Sequence, residues 1–286
     1  MTEFKSFYKE VADSGEAQRC HYPTRLDTYG CGCAHDCSYC YAKSLLDFRG
    51  LWNPQDPAVA NIAEIKKQIC KVHKGEILRL GGMTDCFQEC ERKYEVTYQT
   101  IKELNKKGIG YLIVTKSDLV ADDKYIGILD KDLAHIQITV TCLDDDLYIK
   151  KAYEKAPLPS KRVAAILKLQ EAGFDVAIRL SPLMEEYMDF DKLNSLGVKK
   201  GIVEFLRINH WIMQWFDIDR RKYVKKEGGY RHLPLKEKER IIKKIHGMEL
   251  SVCEDAESHY NFWRYGFNPN PVDCCNLRKE VKSCKS

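Results

Sequence analysis

Residues 30–41 read Gly30-Cys31-Gly32-Cys33-Ala34-His35-Asp36-Cys37-Ser38-Tyr39-Cys40-Tyr41. Cys33, Cys37 and Cys40 are spaced CxxxCxxC, so one short loop can wrap three thiolates around one face of an iron-sulfur cube and leave the fourth iron without a protein ligand. An open metal corner binds something else. Two plainer readings compete. A zinc site wants four nitrogen or sulfur ligands, and Cys31 or His35 is at hand as the fourth. A disulfide loop suits a secreted chain, but this one opens MTEFKSFYKE with no apolar signal segment, and thirteen cysteines is an odd number.

Outward from that loop, 286 residues with 44% hydrophobic and 31% charged side chains describe a globular chain, one large barrel or two ordinary domains. No apolar run is long enough to span a membrane. A net charge of +4 suits a nucleotide or phosphate ligand and is too small for extensive nucleic-acid binding. Many cysteines without an export signal predict a reducing cytoplasm and an oxygen-sensitive centre.

Strand and helix signals alternate along the chain. Strands are expected at 22–28, 76–80, 111–114, 136–140, 176–180, 201–206 and 249–252. Helices are expected at 59–72, around 94–104 up to Gly108, at 160–172 up to Gly173, and at 235–245. This α/β order predicts a parallel sheet with crossover helices, a partial (β/α)6-type TIM barrel over residues 1–252 followed by a C-terminal extension, 253–286. Active sites of such barrels lie at the C-terminal strand ends, where the cysteine loop stands.

The expected strand ends are polar: Gly81-Gly82-Met83-Thr84-Asp85, Thr115-Lys116-Ser117, Thr139-Val140-Thr141 and Arg179-Leu180-Ser181-Pro182. With the CxxxCxxC loop and the aromatic Tyr39 before its last cysteine, these motifs resemble the radical S-adenosylmethionine (SAM) superfamily, and in their order its spore photoproduct lyase-like branch. The resemblance covers about residues 28–182. It implies a 4Fe-4S cluster on Cys33, Cys37 and Cys40 and SAM chelating the open iron. An electron from the cluster then cleaves SAM to a 5′-deoxyadenosyl radical. It also implies an external low-potential reductant such as flavodoxin or ferredoxin. Carried over residue by residue, it places Thr84 near the SAM amino group, Lys116 and Thr139 at its carboxylate, and Tyr39 and Tyr41 beside the adenosyl group. Arg179 is a further cofactor candidate, its plainer reading being a salt bridge to a barrel-top carboxylate. One departure stands out: Gly82 occupies the place of the cysteine that returns a hydrogen atom in spore photoproduct lyases.

Beyond Pro182 the resemblance fades, and substrate selection is expected there. Glu204, Asn209 and Asp255 are the candidate substrate contacts, carboxylates at a barrel mouth being able to accept hydrogen bonds from an amino-substituted base. The plainer reading pairs them with nearby basic groups. Trp211 and Trp215, one helical turn apart and followed by the basic stretch 220–226, are read as core beside a wet face. Cys253, Cys274 and Cys275 are read as structural thiols, with Cys284 the one other cysteine in the tail. Within the branch the chain also looks like the queuosine lyases of queuosine salvage and tRNA modification, which release queuine from queuosine or its 5′-phosphate. The lead expectation is therefore a cytoplasmic lyase acting on a small modified nucleoside or nucleotide. A relative acting on DNA or tRNA in the polymer and a non-catalytic zinc-binding interaction protein are the alternatives.

Overall fold

The computed structural model describes residues 4–8, 20–151 and 153–277. Seven parallel strands run in sequence order across one sheet: β1 (Arg25–Leu26), β2 (Ile77–Leu80), β3 (Gly110–Thr115), β4 (Ala134–Thr139), β5 (Asp175–Leu183), β6 (Lys200–Phe205) and β7 (Glu249–Val252). Phe7–Tyr8 adds an antiparallel eighth strand outside β1. Because β1 and β7 do not pair, the barrel is open, the partial barrel expected from the alternation.

β4 is buried on both faces, its apolar Ala134, Ile136 and Ile138 alternating with buried His135, Gln137 and Thr139, and helices cover the outside of the sheet. These are α1 (Tyr41–Phe48) and α2 (Ile62–Ile69) before β2, α3 (Val96–Lys107) before β3, and α4 (Pro159–Glu171) before β5. α5 (Phe190–Ser195) and α6 (Leu235–Ile242) precede β6 and β7, and α7 (Glu257–Gly266) follows the sheet. Between β3 and β4 the crossover shrinks to two single turns, Asp118–Ala121 and Asp123–Ile126. α3 ends where Gly108 turns left-handed at φ +64°, a conformation glycine adopts without a Cβ penalty.

Two elements differ from the sequence expectation for local reasons. The first strand is cut to Arg25–Leu26, because Asp27 turns its carboxylate to the amides of Gly82 and Met83 (2.6 and 3.2 Å) and Tyr29–Gly30 pairs instead with Ala58–Val59. That pairing removes Val59 from the helix expected to start there, and Asn61 caps α2 by accepting from the Ala63 amide at 2.9 Å. At the far edge, Asn268 satisfies both backbone groups of Val252, covering the end of β7 (2.8 and 3.0 Å). Cys284 lies outside the described residues. Among the described residues, no helix is long and apolar enough to cross a membrane.

Candidate functional site: a cavity at the strand ends

A cavity of about 270 Å³ opens at the C-terminal strand ends, and Cys33, Cys37 and Cys40 line it. Their loop is fastened to the segment before α4: the Ser38 amide donates to the Tyr153 carbonyl (2.9 Å) and the Lys155 amide to the His35 carbonyl (2.7 Å). Asp36 takes Lys43 at 2.8 Å and Lys155 at 3.2 Å. Cys40 is also the N-cap of α1, its sulfur accepting from the Lys43 amide at 3.4 Å, so the positive helix terminus faces this thiol.

Beneath the loop lies an ionic pair that sequence reasoning missed. Arg162 Nη2 donates to Glu154 Oε1 at 2.6 Å, and neither side chain has any solvent exposure. The other carboxylate oxygen accepts from the Tyr39 hydroxyl and, at 3.5 Å, from the Cys37 thiol. Burial alone would raise the Glu154 pKa; Arg162 and Lys116 overcome it and hold the carboxyl below its usual range. Tyr39 then packs on Tyr153 and Phe216, with ring centroids 5.8 and 5.6 Å away.

The SAM candidates converge on the same space. Thr84, Lys116, Thr139, Tyr39, Tyr41 and Arg179 all line the cavity. Asp85 organises three of the strand ends by accepting from Thr115 Oγ1 (2.7 Å), the Lys116 amide (2.7 Å) and His35 Nε2 (3.1 Å). His35 is thereby committed to Asp85. The Lys116 ammonium stands 5.4 Å from the Tyr39 ring centroid and, among the described residues, forms no ion pair within 4.0 Å. The Thr84 hydroxyl donates to the Tyr29 carbonyl at 2.5 Å, which leaves its lone pairs to accept.

Of the substrate candidates, two reach the cavity and one does not. Glu204 accepts from Arg179 Nη2 (2.7 Å) and Ser181 Oγ (2.9 Å). Burial would push its carboxyl up, yet Arg179 and Arg207 bring it down to about 2. Arg179 thus takes the plainer reading, a buried ion pair. Asp255 faces Arg207 at 2.9 Å, but burial dominates and raises its carboxyl to about 7, against Arg207 and with help from Glu204 and Glu254. Arg207 lies between the Tyr41 and Tyr230 rings, 4.7 Å from each centroid. Asn209 is not in the lining. Its Oδ1 accepts from the Ile212 amide (2.9 Å) and its Nδ2 donates to Ser44 (3.0 Å), so the chain turns it into a cap. Trp211 and Trp215 are half-buried rather than core, stacked at 6.2 Å with the Lys43 ammonium 5.0 Å from Trp215. Cys20, Cys253, Cys274 and Cys275 line the cavity as well.

Three thiols on one loop suit a cluster better than a single ion. Burial pushes Cys33 up to about 12 and Cys37 well above its ordinary value, so neither is a thiolate without a metal partner. Among the described residues, the ligating trio with all donor atoms within 4.8 Å of one another is His232, Glu254 and Asp255. Its two carboxylates already serve Lys238 (2.7 Å) and Arg207. The three loop cysteines are not part of that group and line the cavity together. Residues 28–192 match the sequence profile described as Radical SAM superfamily. The chain belongs to the radical SAM superfamily.

Its cofactors are those of the superfamily, a 4Fe-4S cluster and SAM, and the zinc-binding interaction protein is set aside. The radical SAM chain is similar to Uncharacterized protein Rv2578c of Mycobacterium tuberculosis, 26% identical over 171 residues that cover 55% of this chain and 49% of that protein. Uncharacterized protein ORF301 of Acidianus two-tailed virus is 24% identical over 166 residues, covering 54% of each. The chain spans about half the length of these curated relatives. Spore photoproduct lyase complexed with dinucleoside spore photoproduct superposes with a TM-score of 0.59 at 16% identity, over 87% of this chain and 79% of that one. Streptococcus suis SuiB bound to S-adenosylmethionine gives 0.52 at 13% identity, over 84% and 52%. At these identities the two superpositions establish a shared fold.

Proposed function

We propose that this radical SAM chain is a lyase that breaks the glycosidic bond of queuosine or its 5′-phosphate and releases queuine. The observation that carries the reading is the pair of carboxylates, Glu204 and Asp255, on the wall of the cavity that the cluster cysteines share. Arg179 and Ser181 both donate to Glu204 Oε2, so Oε1 is available to a ligand N–H. Asp255, with its carboxyl at about 7, can either donate or accept near neutrality. A base with an exocyclic amine and a diol needs such partners, since each unpaired buried polar group costs about 1–3 kcal/mol.

In this reading residues 1–252 are the radical SAM partial barrel that holds the cofactors, and 253–286 are a C-terminal extension packed on it. Bound cluster and SAM supply the hydrogen-abstracting radical once a low-potential flavodoxin or ferredoxin delivers an electron. The protein's own part is positional. Lys116 and Thr139 hold the SAM carboxylate, Thr84 orients its amine, and Tyr39 and Tyr41 border the adenosyl group. Lys116→Met is expected to weaken SAM binding by about 1.5–3 kcal/mol, the scale of a lost charge-assisted hydrogen bond. Equilibrium dialysis with the cluster-loaded variant checks it, and unchanged affinity removes Lys116 from the site.

A polymer substrate is the second reading, favoured by the fold shared with spore photoproduct lyase. Against it, much of the basic stretch 220–226, which a polymer would need for its phosphates, is engaged locally: Arg221 pairs with Asp219 (2.8 Å), Lys222 with Glu186 (3.1 Å), and Arg220 donates to the Met213 carbonyl. The deciding assay is anaerobic, with reductant, SAM and queuosine or its 5′-phosphate, following queuine and 5′-deoxyadenosine. Queuine formed in step with SAM cleavage supports the lyase. SAM cleavage with no base released defeats it, and a steep salt dependence of binding to nucleic acid would favour the polymer.

A further inference from the structure

Arg25 in β1 and Arg79 in β2 are direct register partners in the sheet, and both line the cavity. Like charges facing each other across neighbouring strands repel, and more so where water is scarce. The other lining guanidiniums have counter-charges: Arg179 has Glu204 and Arg207 has Asp255. Among the described residues, Arg25 and Arg79 have no carboxylate within 4.0 Å, and the Nε of each is buried with no hydrogen-bond partner. Asp27 is close enough for its charge to be felt by both, but its Oδ1 is engaged by the amides of Gly82 and Met83. Cys20 and Cys275 flank Arg79 without a hydrogen bond to it; burial pushes the Cys20 thiol up, whereas a hydrogen bond from Cys274, with Arg179 and Arg79, brings Cys275 down to about 7.

The stem of Arg25 also accounts for Gly82. A Cβ at that position would stand 2.8 Å from Arg25 Cδ, so a side chain there and this arginine rotamer exclude one another. The missing Cβ of Gly82 thus leaves room for the Arg25 side chain on the cavity wall.

We propose that Arg25 and Arg79 form a subsite for a phosphomonoester carried by the substrate. Two planar forks with a combined double positive charge match a phosphate dianion in charge and in bidentate geometry. The inference rests on the lyase reading to the extent that it makes the nucleoside 5′-phosphate, rather than the free nucleoside, the preferred substrate.

The test is calorimetric titration of cluster-loaded, SAM-bound protein in buffer free of phosphate and sulfate, with ribose, ribose 5-phosphate and inorganic phosphate as probes. Ribose 5-phosphate is expected to bind at least about tenfold more tightly than either ribose or inorganic phosphate. Arg79→Met and Arg25→Met are each expected to erase that preference, while Arg79→Lys retains part of it. Iron content and SAM affinity report whether each variant is folded; a Met variant that fails them is replaced by the Gln variant. Equal binding of ribose and ribose 5-phosphate, or Met variants that bind ribose 5-phosphate as the parent does, overturns the subsite. Inorganic phosphate binding as tightly as ribose 5-phosphate makes it a free-anion site and overturns the substrate assignment. The two readings separate cleanly. Ribose 5-phosphate bound as expected while neither queuosine nor its 5′-phosphate is cleaved leaves the subsite and removes the lyase. Queuosine and its 5′-phosphate cleaved with the same KM, without the ribose 5-phosphate preference, does the reverse.

Discussion

Replacing Arg162 with methionine is expected to lower the unfolding free energy by about 3–5 kcal/mol, because it strands the Glu154 carboxylate in a place with no water. The loss does not stop at one ion pair. Arg162 also donates to the Pro157 carbonyl (2.6 Å) and the Thr139 carbonyl (3.1 Å), so two more acceptors lose their partner. The expected pH dependence has a definite sign. In the parent protein Glu154 is held below its usual range, so its contribution is present above the unfolded carboxyl value and fades as pH falls through the lower folded value. Without Arg162, burial is opposed mainly by Lys116 and the carboxyl moves upward, so the deficit is largest near neutrality and shrinks toward acid. Urea denaturation at two pH values reads both magnitude and sign. Adding Glu154→Gln to Arg162→Met is expected to recover part of the loss, since no charge is then left buried. A single variant within about 1 kcal/mol of the parent would show that the pair is not what fixes the cluster loop.

Why this pair escaped sequence reading is a matter of distance along the chain. Tyr39 and Glu154 are 115 residues apart, and nothing in a lysine-rich stretch before α4 marks one glutamate as buried. Arg162 has the same disguise, a charge on an otherwise amphipathic helix. The cluster loop was legible for the opposite reason: its three thiols are local, and their spacing carries the geometry. Lys116 and Thr139 were legible because they stand at the C-terminal ends of β3 and β4, and Thr84 because it follows the Gly81-Gly82 turn after β2; in a parallel barrel all these ends meet on one face. Asn209 marks where that rule stops. Four residues past the end of β6, as Thr84 is past β2, it is turned away because its side-chain oxygen caps the next turn and its amide nitrogen is taken by Ser44. Arg25 and Arg79 required the register itself, since only strand pairing shows that the two cations are neighbours.

Alanine at Cys33, Cys37 or Cys40 is expected to reduce iron from about four per chain to near none after reconstitution, and to abolish 5′-deoxyadenosine formation. Two remaining thiols cannot hold a cube that already has one open corner. Alanine at Cys31, by contrast, should leave iron intact, since Cys31 is outside the cavity lining. His35→Gln should do the same while weakening only the tie to Asp85. Cys40 needs a further control because its sulfur caps α1; Cys40→Ser keeps a capping oxygen, at a difference of about 1 kcal/mol from alanine, while still removing the soft ligand. The contrast between the two groups of variants is what decides. A closed four-ligand site would recruit Cys31 or His35, and those variants would then lose metal as completely as the other three. Loss at Cys31 or at His35 equal to that at the three cysteines would mean that no iron corner is left open, and without it SAM has nowhere to bind in the manner this cavity requires.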